Sequence, residues 1–137
     1  MSADQKTYLT CSLNSNNYLL DVHAGKILNI YNDPSHYHHT TYKSEAVFHS
    51  NNKHIIGGSE DGSIILWNII TAKVDHIILS PLSTTSSSSS SSSIHPRDSQ
   101  SKAISSIAMH PTKTMFITSS YYGTAKIWEE ESVTTTS

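Results

Sequence analysis

The stretch Ser59-Glu60-Asp61-Gly62-Ser63-Ile64-Ile65-Leu66-Trp67-Asn68 decides the fold of this chain. Asp61-Gly62 is a turn signal, because glycine tolerates the positive φ that tight hairpin turns demand. The residues on either side are rich in isoleucine and end on a tryptophan, and such side chains pack well on a pleated sheet. The stretch therefore predicts a β-hairpin.

The same alternation of β-prone runs and turn-formers extends over most of the chain. Asn14–Asn17 and Tyr122-Gly123 are further turn signals, and no run favours a helix. The sequence therefore predicts an all-β, mostly antiparallel chain. Its predicted strands are Thr7–Leu13, Tyr18–Val22, Lys26–Tyr31, Ala46–His49, His54–Ser59, Ser63–Ile70, Lys73–Leu79, Ala103–His110, Thr114–Ser119 and Thr124–Trp128.

Two segments depart from this pattern. Residues 81–101 are dominated by serine and include the uninterrupted run Ser86–Ser93. Such a segment has almost nothing apolar to bury, so burial cannot offset the entropy lost on ordering. We expect a flexible insert there and a frayed tail at 132–137.

The chain also repeats itself. Sliding it by 61 positions lays His49 on His110, Ser59 on Ser120, Gly62 on Gly123 and Trp67 on Trp128. A slide of 47 positions gives a weaker match, with Leu20 at the tryptophan position and Ser15 at the glycine position. Without the serine-rich insert and a loop rich in proline and histidine, both spacings reduce to roughly 40 residues, a period typical of repeat proteins.

Composition excludes several classes of protein. The chain has 137 residues, a net charge of −2 and one arginine, Arg97, so it lacks the basic surface of a nucleic-acid-binding protein. No apolar run approaches the roughly 20 residues of a membrane helix, and Met1–Lys6 has no apolar core of a secretory signal. Cys11 is the single cysteine, which fits a reducing compartment. We expect an intracellular protein with no membrane or direct nucleic-acid partner.

A unit of about 40–45 residues with four short strands and a Trp-Asp-type ending is typical of the WD repeat. Ser59–Asn68 resembles the second and third strands of such a repeat, and Ser119–Trp128 is similar with more departures. The resemblance implies an open, partial WD-repeat β-propeller of about three four-stranded blades. Its expected parts are a degenerate partial blade at 7–36, a WD blade at 37–80, the serine-rich insert at 81–101, an incomplete last blade at 102–131 and a disordered tail at 132–137.

The resemblance also implies a buried hydrogen-bonded set of side chains inside each repeat. Ser59, Asp61 and Trp67 match the serine, aspartate and tryptophan of that set. The histidine is open, since His36, His38 and His39 all precede the first strand of this repeat. In the last repeat Tyr122 takes the aspartate position, so the set is expected to be absent or rebuilt there. The expected structural residues are Ser59, Asp61, Gly62, Trp67, Ser120, Gly123 and Trp128.

Sites with other chemistry are weaker interpretations of the same residues. A catalytic triad would need a Gly-x-Ser-x-Gly nucleophile elbow, and Gly57-Gly58-Ser59 is followed by no Gly-Lys-Ser/Thr of a phosphate loop. The His36–His39 run could bind a transition metal, but consecutive histidines rarely give closed tetrahedral geometry, so we favour a surface loop with one structural histidine. Ser80, which precedes Pro81, is a candidate site of proline-directed phosphorylation.

Within the family, the chain is most similar to the C-terminal blades of the mitogen-activated protein kinase organiser scaffolds. The similarity lies in Leu19-Leu20-Asp21, Tyr42-Lys43 and Trp128-Glu129-Glu130-Glu131. It implies a non-enzymatic scaffold without a cofactor, located in the cytoplasm and also in the nucleus. The implied partners are proteins of a mitogen-activated protein kinase cascade and of pre-mRNA splicing complexes.

Other functions remain open at this stage. A WD-repeat adaptor of a ubiquitin ligase or a chromatin complex fits the same repeats, as does a truncated fragment with no independent function. A propeller hydrolase would need clustered acidic residues, whereas the acidic residues of this chain are scattered. Because three blades leave strand edges exposed, we expect the chain by itself to oligomerise or aggregate.

Overall fold

The computed structural model describes residues 1–79, 102–121 and 123–129. This part of the chain contains no helix, and hence none that is long and apolar enough to cross a membrane. Each of the ten predicted runs overlaps one observed strand, which confirms the all-β prediction. Strands β2, β9 and β10 extend one or two residues beyond the predicted bounds. The strands are β1 (Thr7–Ser12), β2 (Asn16–Asp21), β3 (Ile27–Tyr31), β4 (Ala46–Phe48), β5 (His54–Gly58), β6 (Ile64–Asn68), β7 (Val74–Ile78), β8 (Ile104–Met109), β9 (Met115–Ser120) and β10 (Ala125–Glu129).

The strands form three antiparallel sheets. The first sheet has the order β1-β2-β3, the middle sheet β4-β5-β6-β7 and the third sheet β8-β9-β10. Strand β4 contacts both β1 and β8, so the three sheets are neighbours around the edge that β4 occupies. This arrangement of small meandering sheets is that of consecutive propeller blades, as the repeats predict.

The internal repeat relates the three sheets strand by strand. A slide of 61 positions lays β8, β9 and β10 on β4, β5 and β6, and a slide of 47 lays β1, β2 and β3 on β5, β6 and β7. Within the described residues, the first sheet therefore has no counterpart of β4 and the third has none of β7. Strand β1 and strand β10 are consequently edge strands, whereas their counterparts β5 and β6 lie inside the middle sheet.

The hairpin turns adopt the left-handed backbone that the repeat demands. Gly62 has φ of 88° and Gly123 has φ of 77°. The N–H of Gly62 donates to the Ser59 carbonyl at 3.1 Å, and the N–H of Gly123 donates to the Ser120 carbonyl at 3.0 Å. In the first sheet the same position is Ser15, which adopts φ of 61°. The turn geometry is thus kept although serine replaces glycine. A residue with a Cβ has a higher conformational energy in this left-handed region than glycine has.

The middle sheet is buried on both faces, and this holds the three sheets together. Adjacent residues of a strand point to opposite faces. Accordingly Ile55 and Ile65 pack with Trp67 toward the first sheet, while Ile56 and Ile64 pack toward the third. The cluster between the first and middle sheets also contains Leu19, Tyr31 and Tyr37, and the cluster between the middle and third sheets also contains Ile104, Ile107 and Phe116.

The predicted segment bounds 7–36, 37–80 and 102–131 enclose the three sheets in turn. The predicted insert at 81–101, the predicted tail at 132–137 and Ser80 lie outside the described residues. The predictions made for those residues stay predictions.

Substitution of Gly58 by alanine tests the contact between the middle and third sheets. A Cβ on Gly58 would overlap Cβ and Cγ2 of Ile104. Because Ile104 is buried, we expect Gly58→Ala to lower the free energy of unfolding by about 2 kcal/mol, as overpacked cores do. Urea denaturation followed by circular dichroism measures the change. The double variant Gly58→Ala with Ile104→Ala is the control: its cost should be smaller than the sum of the single costs, and strict additivity would contradict the proposed overlap.

Candidate functional site

Two buried rings lie on the loop of residues 33–45 that connects the first sheet to the middle one. Tyr37 stands edge-on to the Trp67 indole, with ring centroids 4.9 Å apart. Its hydroxyl donates to Oδ1 of Asn17 on β2 at 3.1 Å. Burial raises the pKa of the Tyr37 hydroxyl, so this group stays a neutral donor. The loop is thereby anchored to both sheets at once.

His39 is the second buried ring of this loop. Its Nε2 accepts a hydrogen bond from the backbone N–H of Ser44 at 2.9 Å, so the ring proton is assigned to Nδ1, which lies 3.4 Å from the Tyr37 hydroxyl. Burial lowers the pKa of His39 and favours the neutral ring that this pattern requires. Of the three candidate histidines, His36 and His38 are exposed. The structural histidine that the repeat implies is therefore best matched by His39.

The His36–His39 run does not converge on a common point. Nδ1 of His36 lies 3.0 Å from Oδ2 of Asp33, and His39 is engaged by Ser44 and Tyr37. In residues 1–79, 102–121 and 123–129, no three histidine, cysteine, aspartate or glutamate side chains are placed to hold a metal ion. His36 and His39 are therefore each held by hydrogen bonds to other residues of the loop.

Trp67 fills the centre of the junction between the first and middle sheets. Its indole is fully buried, and Nε1 donates to the carbonyl of Asn32 at 3.1 Å. The ring lies over Gly57, where a Cβ would stand only 2.8 Å from Cζ3 of the indole. The indole can occupy this place because Gly57 has no side chain, and its N–H is satisfied by the backbone of the preceding loop.

The indole N–H of Trp128 has a side chain as its acceptor, whereas that of Trp67 has a backbone carbonyl. Nε1 of Trp128 donates to Oγ1 of Thr118 at 3.0 Å, and its ring stacks on Phe116 with centroids 6.0 Å apart. Thr118 and Gly57 are equivalent positions under the slide of 61. The indole partner in the last repeat is thus a hydroxyl on the neighbouring strand, and the middle repeat lacks that hydroxyl. Thr118 is not among the residues predicted from the sequence, although the slide of 61 lays Gly57 on it.

The expected set of Ser59, Asp61 and Trp67 is divided in the structure. Ser59 is fully buried, and its Oγ accepts the backbone N–H of His38 at 3.0 Å. Asp61 is exposed, and its Oδ1 accepts the N–H of Ser63 at 2.8 Å, which closes the hairpin turn. The expectation of one buried set is corrected in this respect: Asp61 is satisfied within its own turn, and Gly57 offers Trp67 no hydroxyl.

The remaining predicted residues of the last repeat have local roles. Oγ of Ser120 lies 2.9 Å from Oγ1 of Thr124, across the turn that contains Gly123. Ser120 lies two residues after Thr118, the partner of Trp128. Tyr122, on which the prediction of a rebuilt network depended, lies outside the described residues.

Glu60 is a site residue that sequence reasoning missed. Its Oε1 accepts three consecutive backbone N–H groups, those of Thr40 at 2.5 Å, Thr41 at 2.5 Å and Tyr42 at 3.0 Å. Burial by itself would raise the pKa of the Glu60 carboxyl, but these three donors outweigh it and the pKa is lowered. A carboxylate on the β5–β6 hairpin therefore fixes the loop between the sheets. Only its position inside the repeat motif could have suggested such a role.

A cleft of about 540 Å³ lies beside β1, where the first sheet has no counterpart of β4. One wall consists of Leu9, Cys11 and Leu13, alternate residues that share one side of the chain. Sγ of Cys11 accepts the N–H of Ala46 across the cleft at 3.1 Å, and burial raises the pKa of this thiol. The opposite wall comprises His39, Lys43, Ser44, Glu45, Ala46 and Val47. The cleft is a mostly apolar slot with one charge of each sign among its lining residues.

Comparison with known proteins agrees with this geometry. The family described as "WD domain, G-beta repeat" matches residues 25–68 and 90–129. No match was found among curated proteins. Among solved structures, the WD40 β-propeller domain of Doa1 superposes with a TM-score of 0.66 at 17% sequence identity. The alignment covers 96% of this chain and 36% of that one, so the chain spans about a third of that structure's length and the likeness concerns the fold.

Replacement of Glu60 by glutamine tests the carboxylate that fixes the loop. We expect Glu60→Gln to lower the free energy of unfolding at pH 7 by about 1 kcal/mol, because hydrogen bonds to a charged acceptor are the stronger ones and this acceptor is partly screened by solvent. The folded pKa lies below the ordinary value of 4.5, so the contribution is present above that pH and is lost as the pH falls through the folded pKa. Urea denaturation at pH 7 and at pH 3 measures both effects.

Glu129→Gln, at an exposed carboxylate, is the matched control and should leave stability unchanged. A difference between wild type and Glu60→Gln that is as large at pH 3 as at pH 7 would contradict the assigned role.

Replacement of Thr118 by valine tests the partner of Trp128. Valine has nearly the same shape but no hydroxyl, so the half-buried indole N–H loses its acceptor. We expect a loss of about 1–2 kcal/mol in the free energy of unfolding. Denaturation followed by tryptophan fluorescence measures it, with Thr114→Val at an exposed threonine as the control. Equal effects of the two substitutions would show that the hydrogen bond contributes nothing.

Proposed function

The chain belongs to the WD40 repeat family, and on that premise we propose that it is a non-enzymatic scaffold that binds other proteins through the cleft beside β1. WD40 propeller domains generally mediate protein–protein interaction. The observation that supports this cleft as the binding surface is its combination of an apolar wall with the free edge of a strand. An apolar slot with few polar groups suits an extended segment of a partner protein.

The free edge of β1 offers backbone hydrogen bonds to such a segment. The N–H of Val22 donates to the carbonyl of Lys6 at 2.9 Å, and the register of β1 with β2 makes these residues opposite one another. In an antiparallel pair the direction of the backbone groups alternates along the strand. The N–H and C=O groups of Leu9 and Cys11 therefore point away from β2 along the open edge of the sheet, whereas those of Thr7 on the same edge bond to Ser2. An added strand would pair with these groups and place alternate side chains in the cleft.

The proposed partners are components of a mitogen-activated protein kinase cascade, and in addition proteins of pre-mRNA splicing complexes. The support for both is the resemblance of Leu19-Leu20-Asp21, Tyr42-Lys43 and Trp128-Glu129-Glu130-Glu131 to the organiser scaffolds. The proposed compartments are the cytoplasm and the nucleus. An adaptor of a ubiquitin ligase or of a chromatin complex is the alternative within the same fold.

A binding experiment with variants of the cleft tests this proposal. The full chain is immobilised, and purified kinases of one cascade are passed over it while biolayer interferometry records binding. We expect Leu13→Glu to weaken binding at least tenfold, because Leu13 lines the cleft and is 54% exposed. Ile70→Glu is the control, since Ile70 is 86% exposed in the β6–β7 turn and lies away from the cleft.

The outcomes separate the parts of the proposal. Absence of kinase binding to the wild-type chain would overturn the proposed partners. Binding of purified cullin adaptors passed over the same immobilised chain would then favour the ubiquitin-ligase alternative. Kinase binding that Leu13→Glu and Ile70→Glu affect equally would overturn the cleft as the binding surface.

A further inference from the structure

The outward face of the third sheet repeats a face that is buried in the middle sheet. In the middle sheet, Val47, Ile56, Ile64 and Leu66 pack toward the third sheet, and Ile56 and Ile64 are fully buried there. The slide of 61 maps these four residues onto four exposed residues of the third sheet. The exposed counterparts are Ala108, Ile117, Ala125 and Ile127.

The register of the third sheet places these residues together on one face. Ala108 is opposite Ile117, and Ile117 is opposite Ile127, so three strands contribute to one apolar row. Phe116 and Trp128 are the next residues along two of the strands, and they face the middle sheet. Ile117 is 42% exposed and Ile127 is 71% exposed. The outer surface of the third sheet thus has the residue pattern of a face that packs on another blade. Within the described residues, no sheet packs on it.

The outward face of the first sheet shows the complementary situation. Tyr8, Leu20 and Ile27 lie opposite one another across the three strands. They share the face directed away from the middle sheet, because the alternate residues Leu19 and Tyr31 are buried against that sheet. Tyr8 is 47% exposed and Ile27 is 55% exposed.

The slide of 47 relates this outward face of the first sheet to a face of the middle sheet. It maps Tyr8 onto Ile55, Leu20 onto Trp67 and Ile27 onto Val74. Those three residues are the face by which the middle sheet packs on the first. The exposed face of the first sheet is therefore equivalent to the face by which a blade packs on the blade before it. The exposed face of the third sheet is equivalent to the face by which a blade packs on the blade after it.

We propose that two copies of this chain associate head to tail, with the outward face of the third sheet of one copy packed on the outward face of the first sheet of the other. The contact would repeat, between chains, the pairing that joins the first to the middle sheet and the middle to the third within one chain. A second copy is the occupant because each copy carries both members of this matched pair of faces. The contact is heterologous, and the described residues of two copies supply six sheets, within the four to eight blades of closed propellers.

Matched surface variants of the full chain test this assembly. Size-exclusion chromatography with light scattering should give the wild type twice the monomer mass of 15.1 kDa. Ile127→Glu alters the third-sheet face and Ile27→Glu the first-sheet face, and each variant alone should be a monomer. Ile70→Glu, at a residue 86% exposed in a turn, is the control and should stay dimeric. Circular dichroism of all variants verifies that the strands are retained.

Mixing the two face variants separates head-to-tail contact from every other mode. Each keeps the face that the other has lost, so an equimolar mixture should recover a particle of two copies through one intact contact. A monomeric wild type would overturn the proposal. So would a dimer that persists in either face variant alone, since it would indicate contact between two identical faces. Failure of the mixture to associate would equally overturn it.

Discussion

Burial of the middle sheet on both of its faces is the constraint on which the rest of this structure depends. Adjacent residues of a strand point to opposite faces of the sheet. When both faces are covered, the strand therefore needs apolar residues at consecutive positions. Ile55-Ile56 and Ile64-Ile65 meet that need, and all four are fully buried. The outer sheets are each covered on one face only, so along β2 and β9 buried residues alternate with more exposed ones. Without the middle sheet, neither outer sheet has a partner within the described residues.

The loop between the first and middle sheets is stabilised by polar contacts from both sides. Tyr37 reaches Asn17 of the first sheet, and Glu60 of the middle sheet binds the backbone of residues 40–42. These contacts cross long stretches of sequence, so the loop has its observed path only when both sheets are in place. This dependence explains why Tyr37, His39 and Ser44 are buried in a loop whose other residues are mostly exposed.

Much of the fold could be predicted from the sequence, because β-prone runs and turn residues are local signals. Every strand overlaps a predicted run, with ends that differ by up to two residues, and the glycine turns lie where the repeat places them. The site was less predictable. Gly57 and Thr118 decide how each indole N–H is satisfied, yet their roles follow from side-chain geometry between strands. The choice of His39 over its neighbours depends on burial, and the role of Glu60 depends on a loop that is 18 residues away in sequence at its nearest donor.

The two tryptophans report on different junctions of the molecule. Trp67 is sealed between the first and middle sheets against a backbone carbonyl, whereas Trp128 is half-buried at the margin of the third sheet against a hydroxyl. An indole in a dry, rigid pocket emits at shorter wavelength than one that meets solvent. We therefore expect a blue component of the intrinsic fluorescence from Trp67 and a red component from Trp128. Opening of the third sheet changes the red component, and separation of the first sheet changes the blue one.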